Sequence, residues 1–279
     1  MKLGRSAAWV GVTAAALAAT TACGAESVKQ AAEAVDKSDA IMAALARATD
    51  RTQDLGSAQV KATTVLNEGA PVVMEGTYSW GDGLAYDVVM DTEAAQMQEL
   101  TDDPSMRALF VDGAYYYDID PQPSGPLQGK EWMRIDASAM FGDKGASALD
   151  SGQGGDPTAS MRTLKYANDV DDLGTETVSG REVTHYRGVV RKEDFGRFKD
   201  TYAPEDETLA NQLTGGVQKT TIDIWVGDDD LPVRIRQELG AMTVTMDFGK
   251  FSATKKIQAP PASQTGDLTD EVKEAAEQG

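Results

Sequence analysis

The final third of the chain alternates apolar and polar side chains with a period of two, and no other feature restricts its fold as much. Ile222, Ile224 and Val226 share one face; after the turn Gly227 to Asp230 come Val233, Ile235 and Gln237, then Met242, Val244, Met246 and Phe248. That period marks a pleated strand with one buried face, so these residues form three consecutive strands of a meander. The same period opens after Gly56, where Val60, Ala62, Thr64 and Leu66 stand against Gln59, Lys61 and Thr63. Met74, Gly76, Tyr78 and Trp80 then alternate with Glu75, Thr77 and Ser79, turn at Gly81 to Gly83, and continue as Leu84, Tyr86, Val88 and Met90. A second hairpin joins Met106–Val111 to Ala114–Asp118 through Asp112-Gly113, a dipeptide suited to a type I′ turn. Tyr115, Tyr116 and Tyr117 fall on both of its faces. Glu131–Ile135, with Trp132, reads as a short strand, and Val178–Val190, with Gly180 and Gly188, returns to strand character.

Helical spacing is confined to a few segments. Val28, Val35, Ile41, Leu45 and Ala48 recur on one stripe, with Ser38 placed to cap a helix running to about Arg51. Ala25–Lys37 before it reads as a tether that frays. Pro157 suits a first helical turn, and Met161, Leu164 and Ala167 carry that helix toward Asp169. Lys192–Leu213, broken near Pro204, places Phe195, Phe198 and Tyr202 on one stripe, a pattern of core packing. Gly142–Asp156 is rich in Gly, Ser, Asp and Ala and is expected as a surface loop; it lacks the closing Gly-Lys-Ser/Thr of a phosphate cradle. Past Pro260-Pro261, the acidic segment Gly266–Gly279 is expected to stay loose.

At the other end, Lys2 and Arg5 precede an apolar, alanine-rich run, Ala7–Ala19, and Thr20, Thr21 and Ala22 lead into Cys23. About thirteen apolar residues are too few to span a hydrocarbon core of roughly 30 Å, so the run reads as the apolar part of a cleaved export leader. Cys23 is the sole cysteine. No disulfide can staple this chain, and a lone thiol beyond the membrane has a use as a lipid attachment point. The net charge is −19, with Lys2 and Arg5 lost on cleavage. So acidic a chain is repelled by nucleic acid and by anionic headgroups alike, which leaves membrane contact to an anchor or an apolar opening.

The chemistry of a metal or catalytic centre is missing. His185 is the only histidine, with no second histidine or free thiol to complete a zinc site beside it, and nothing in its run Thr184-His185-Tyr186-Arg187 marks a Ser/His/Asp relay. It is expected to hydrogen-bond within its strand. Read as an EF-hand from Asp169, the fifth place is Leu173 and the twelfth Gly180, which are not oxygen ligands; Asp228–Asp230 before Leu231-Pro232 reads as a solvated turn.

Several runs together resemble one family. Cys23 behind its leader, a helix Ala40–Thr52 entering Ser57-Ala58-Gln59-Val60, the Val111-Asp112-Gly113 hairpin and the stretch from Gly180 through His185 to Gly188 all take part. So does Ile224-Trp225-Val226 running through Leu231-Pro232-Val233-Arg234 to Phe248-Gly249-Lys250 and Pro260-Pro261. The pattern is similar to the actinobacterial envelope lipoproteins of the LppX and LprG type, with Gly142–Asp156 and the end beyond Leu268 as departures. The resemblance implies an α+β fold: a strongly curved antiparallel sheet, a half-open barrel of the LolA kind, with helices over its concave face. It implies residues 1–22 as a lipoprotein signal peptide, 23–37 as a lipidated tether, 38–262 as one lipid-binding domain and 263–279 as an acidic tail. Cys23 would carry a diacylglyceryl anchor to the outer face of the cell membrane, with an acylated lipid or glycolipid as ligand and no enzyme activity, cofactor or metal. The cavity for such a ligand would be lined by Met74, Tyr78, Tyr86, Val88, Met90, Ile222, Ile224, Val226, Val233, Ile235, Met242, Val244 and Met246, on the more apolar strand faces. A second reading takes the same residues as a closed core and the chain as a surface lipoprotein that presents its sheet or tail to an envelope protein. An enzyme using His185 is the third.

Overall fold

The structure, a computed structural model, describes residues 22–67, 69–150, 157–164, 167, 170–191, 217–252 and 256–278. The leader, apart from Ala22, and the aromatic stripe of Phe195, Phe198 and Tyr202 lie outside the described residues. The chain divides into two units, the first ending at Ala40 and the second comprising Ile41–Gly279. Helix α1 runs Ala22–Leu55, so Ala25–Lys37 is helical, and Ser38 sits inside the helix instead of capping it. Within the second unit, Ile41, Leu45, Ala48 and Thr52 of α1 form one buried stripe. Gly56 ends the helix with φ +67°, a left-handed position that glycine occupies at little cost. Its carbonyl accepts from the Trp80 backbone N–H at 2.8 Å, and the Trp80 indole donates to the Thr52 carbonyl at 3.0 Å, which fixes the helix end over the sheet.

Among the described residues, twelve strands make one curved open sheet. They are β1 (Ser57–Leu66), β2 (Val72–Ser79), β3 (Ala85–Asp91), β4 (Ser105–Val111), β5 (Ala114–Asp118), β6 (Trp132–Asp136), β7 (Val170–Val178), β8 (Arg181–Arg191), β9 (Lys219–Gly227), β10 (Pro232–Leu239), β11 (Met242–Phe251) and β12 (Thr265–Asp267). Their order is β12-β6-β5-β4-β3-β2-β1-β11-β10-β9-β8-β7, antiparallel throughout except for the β12–β6 pair. Two meanders therefore meet where β1 pairs with β11. The expected turns are present: Asp112 and Gly113 both take positive φ, and Asp228–Asp230 closes β9 onto β10 with Gly227 N–H donating to the Leu231 carbonyl at 2.9 Å. Val178–Val190 takes in the end of β7 and most of β8. Ser179 and Gly180, at φ 52° and 78°, break it into a hairpin, and the acidic run from Asp171 to Glu176 is an exposed edge strand.

Two segments expected without structure have it. Gly142 lies within α2 (Ala137–Asp150), kinking it at φ 68° and ψ 171°, where a continuous loop was expected. The acidic C-terminal segment is not loose. Its β12 adds a parallel strand beside β6, and helix α4 (Thr269–Gln278) packs on α2. Arg134 of β6 holds this strap, 2.6 Å from Asp267 and 3.2 Å from Asp136, while the Asp136 N–H donates to Thr269 Oγ1 at 3.0 Å. Helix α3 (Pro157–Thr163) starts at Pro157 as expected and stops well short of Asp169.

The main core lies between α1, α3 and one sheet face. On the opposite face, Trp132, Tyr116, Leu109 and Val111 form one smaller cluster and Trp225, Val178, Val183 and Val233 another.

Candidate functional site

The register of the sheet brings residues far apart in sequence into transverse rows on the helix-covered face. Ala62 of β1 faces Met74 on one side and Met246 on the other; Met74 pairs with Met90, and Met90 with Met106. Four methionines thus cross five strands, interrupted only by the small Ala62. Unbranched thioether chains adapt to irregular contacts, and a row of them makes a deformable apolar surface. Met90 and Met106 are buried, while Met74 and Met246 keep part of their surface open.

Next to this row stands an aromatic group. Tyr78 pairs with Tyr86, Tyr86 with Phe110, and Phe110 with Tyr115 across β2 to β5. Successive ring centroids are 5.3, 5.7 and 4.8 Å apart, and Tyr115 also stacks near Tyr117 at 6.4 Å and meets Phe141 of α2 at 6.3 Å. Burial pushes the pKa of Tyr78, Tyr86 and Tyr115 well above 10.0, with neighbouring tyrosines adding to it for Tyr86 and Tyr115; burial raises Tyr117 to about 12. All four are neutral phenols at any physiological pH.

The expected cavity residues do not all share one environment. Val88, Ile222, Ile224 and Ile235 are at most 1% exposed, which makes them packed core, and Tyr78, Met90 and Val226 are buried as well. Met74, Tyr86, Met242, Val244 and Met246 are half-buried. Val233 is on the other face, against Trp225, Val178 and Val183: a β-bulge between Pro232 and Arg234 reverses the alternation that pointed it inward. Met106, Phe110, Tyr115 and Tyr117, absent from the expectation, complete the face. The alternation of Met106–Val111 and the run Tyr115–Tyr117 carried the signal for them.

His185 sits on the opposite face in a polar cluster that no local pattern revealed. Its Nε2 lies 2.7 Å from Asp223 Oδ1 and its Nδ1 3.1 Å from Glu176, and its ring stacks on Trp225 at 4.2 Å. Asp223, 1% exposed, also accepts from Arg187 Nε at 2.6 Å. A hydrolytic relay needs one imidazole nitrogen on a nucleophile. Here both ring nitrogens are held by carboxylates across neighbouring strands, so the ring is a structural link.

No family model matches the chain. A Streptomyces coelicolor protein named as a lipoprotein, SCO4650, is 28% identical over 233 residues, covering 80% of this chain and 72% of that protein. A 31.2 kDa protein from the rplA–rplJ intergenic region of Streptomyces griseus is 27% identical over 246 residues, covering 84% and 81%. Among solved structures, the Mycobacterium tuberculosis lipoprotein LppX covers 79% of this chain and 99% of its own, at a TM-score of 0.51. The fold is that of LppX. With 13% identity in that comparison, architecture is what the two share, and side chains at any site are each protein's own.

Proposed function

We propose that this chain is an extracytoplasmic lipoprotein, anchored through Cys23 to the outer face of the cell membrane, that holds the acyl chains of a lipid or glycolipid against the helix-covered sheet face and carries it within the envelope. The observation that carries this reading is the half-buried methionine and tyrosine surface beneath the helices of an LppX fold. Tyr86 supports it further: it is half-buried within that surface, and burial raises its pKa.

The energetics suit carriage. At about 0.8 kcal/mol per methylene, drawing a long acyl chain through water costs on the order of 10 kcal/mol, and an apolar lining removes most of that barrier. Such a task needs surface and shielding, and no reactive group. Protein presentation by the tail is less well supported, since Gly266–Gly279 supplies β12 and α4 and is engaged with the sheet edge.

Native mass spectrometry of the protein lacking residues 1–23, purified gently from its own host, tests the reading. Copurifying acyl lipid is the expected result. Lipid-free protein in repeated preparations, together with side chains that fill the interior, would overturn it.

A further inference from the structure

Beneath the C-terminal strap lies an apolar island on a polar surface. The face opposite the helices carries Lys61, Glu75, Asp87 and Arg107 on β1 to β4, at the positions that alternate with the inward-facing residues. From β4 to β6 the same face changes character. Leu109, Val111, Tyr116 and Trp132 gather there into one buried cluster, with the Arg107 guanidinium 5.7 Å from the Trp132 ring and Arg134 paired opposite Tyr116. Trp, Tyr and Arg are the side chains that carry most of the binding energy at protein interfaces. Such a cluster on the outside of a sheet needs a cover, and the chain supplies its own. Strand β11 lies in the middle of the sheet and β12 at its edge, and the segment that joins them lays Ile257 on the cluster. The hold is light: Ile257 is itself half-buried, and Gln258, Ala259, Pro261 and Ser263 are exposed. Pro261 takes φ −57° and ψ 133°, in the polyproline region. Just beyond it, Lys130 Nζ donates to the Ser263 carbonyl at 2.8 Å and the Glu131 N–H to the Gln264 carbonyl at 3.0 Å.

We propose that Leu109, Tyr116 and Trp132, with Arg107 and Arg134 beside them, form a docking platform for an extended, proline-containing segment of another protein, and that the C-terminal strap occupies it in cis until such a segment displaces it. The strap itself gives the chemistry of the occupant. It sets an apolar side chain, Ile257, three residues before the pair Pro260-Pro261, and it places a carboxylate, Asp267, 2.6 Å from Arg134. A polyproline backbone is extended before it binds, so it loses little freedom on an aromatic surface, and the residues after it can add to a strand edge as β12 adds to β6. An occupant on the same chain acts at an effective concentration of about 1 mM, which keeps the platform closed to weaker competitors. This site lies on the other side of the sheet from the methionine row and stands apart from the lipid reading.

The test uses the mature chain and a fluorescein-labelled peptide of its own residues 256–269. Ile257→Ser with Asp267→Asn takes the apolar contact and the carboxylate from the strap and leaves every platform residue in place. Faster hydrogen exchange in 262–278 is expected to report the release. The peptide is expected to bind this variant at least about tenfold more tightly than the wild type, as a site closed nine-tenths of the time allows. Bound peptide is expected to slow exchange in 107–118 and 131–136. A peptide with alanine in place of both prolines, which has more freedom to lose, is expected to bind about tenfold more weakly. A strap that stays protected in the variant, no binding at about 1 mM peptide, equal binding to both proteins, or slowed exchange confined to other strands would each overturn the platform.

Discussion

Gly76 shows how much of the methionine and tyrosine surface depends on one absent side chain. A Cβ built on it would lie 2.2 Å from the Asp87 carbonyl oxygen and 2.8 Å from the Val88 Cα, both backbone atoms of the neighbouring strand. No rotamer change relieves a clash with backbone, so Gly76→Ala forces β2 away from β3. The pairs Met74–Met90 and Tyr78–Tyr86 flank this point in the same ladder and would separate with it. We expect a loss of about 1–3 kcal/mol, the usual range for forced overpacking, read as a lower midpoint in urea or thermal unfolding. An unchanged midpoint would show that the two strands can part freely. On the opposite face Asp223, 1% exposed, is bound by His185 and Arg187 from the next strand.

The C-terminal strap is the element whose stability responds most directly to acid. Asp136 lies below the ordinary carboxylate range because Ser138 hydrogen-bonds it and Arg134 sits beside it. Burial works against ionisation of Asp267, yet hydrogen bonds from Thr269 and the charge of Arg134 outweigh it and leave its pKa lowered. A carboxyl whose folded pKa is depressed stabilises the fold above its unfolded value and loses that contribution as pH falls through the folded one. Between neutral pH and pH 3, the segment 262–278 should therefore lose protection from hydrogen exchange, after correction for intrinsic rates, before the central strands β1 and β11 do. Simultaneous loss would mean that strap and sheet open as one unit. This strap was hidden in the sequence because its residues are acidic, short of apolar pattern and stabilised by Arg134, more than 130 residues away along the chain. Edge strand β7 was hidden for a related reason: with both faces exposed it has no alternation to read. The meander β9–β11 and the Asp112-Gly113 hairpin were legible since each buries one face or demands a specific turn. Legibility failed at Val233, where a bulge shifts the period by one residue; Met106 and Tyr117 show their face in their own segments, but which residues they stand beside comes from pairing between strands.

At the scale of the whole molecule, charge and anchor pull in opposite directions. A chain of net charge −19 is repelled by an anionic bilayer, and none of its described helices is long and apolar enough to cross one. The anchor proposed at Cys23 would then supply stable residence at the membrane. One acyl chain gives only marginal, reversible binding, whereas two or more hold firmly. Cys23 belongs to the unit that ends at Ala40, outside the one that contains the sheet. Cys23→Ser should accordingly leave the unfolding midpoint and the lipid affinity of the domain unchanged while moving the protein from the membrane fraction to the soluble one. The same substitution should remove a mass increment equal to a diacylglyceryl group from the mature wild-type protein. Continued sedimentation with membranes after a high-salt wash, without that mass difference, would show that an apolar surface and not the thiol holds the protein there. In that event the opening of the sheet, with Met74 and Met246 at its half-buried face, would be the part to test next for direct contact with the bilayer.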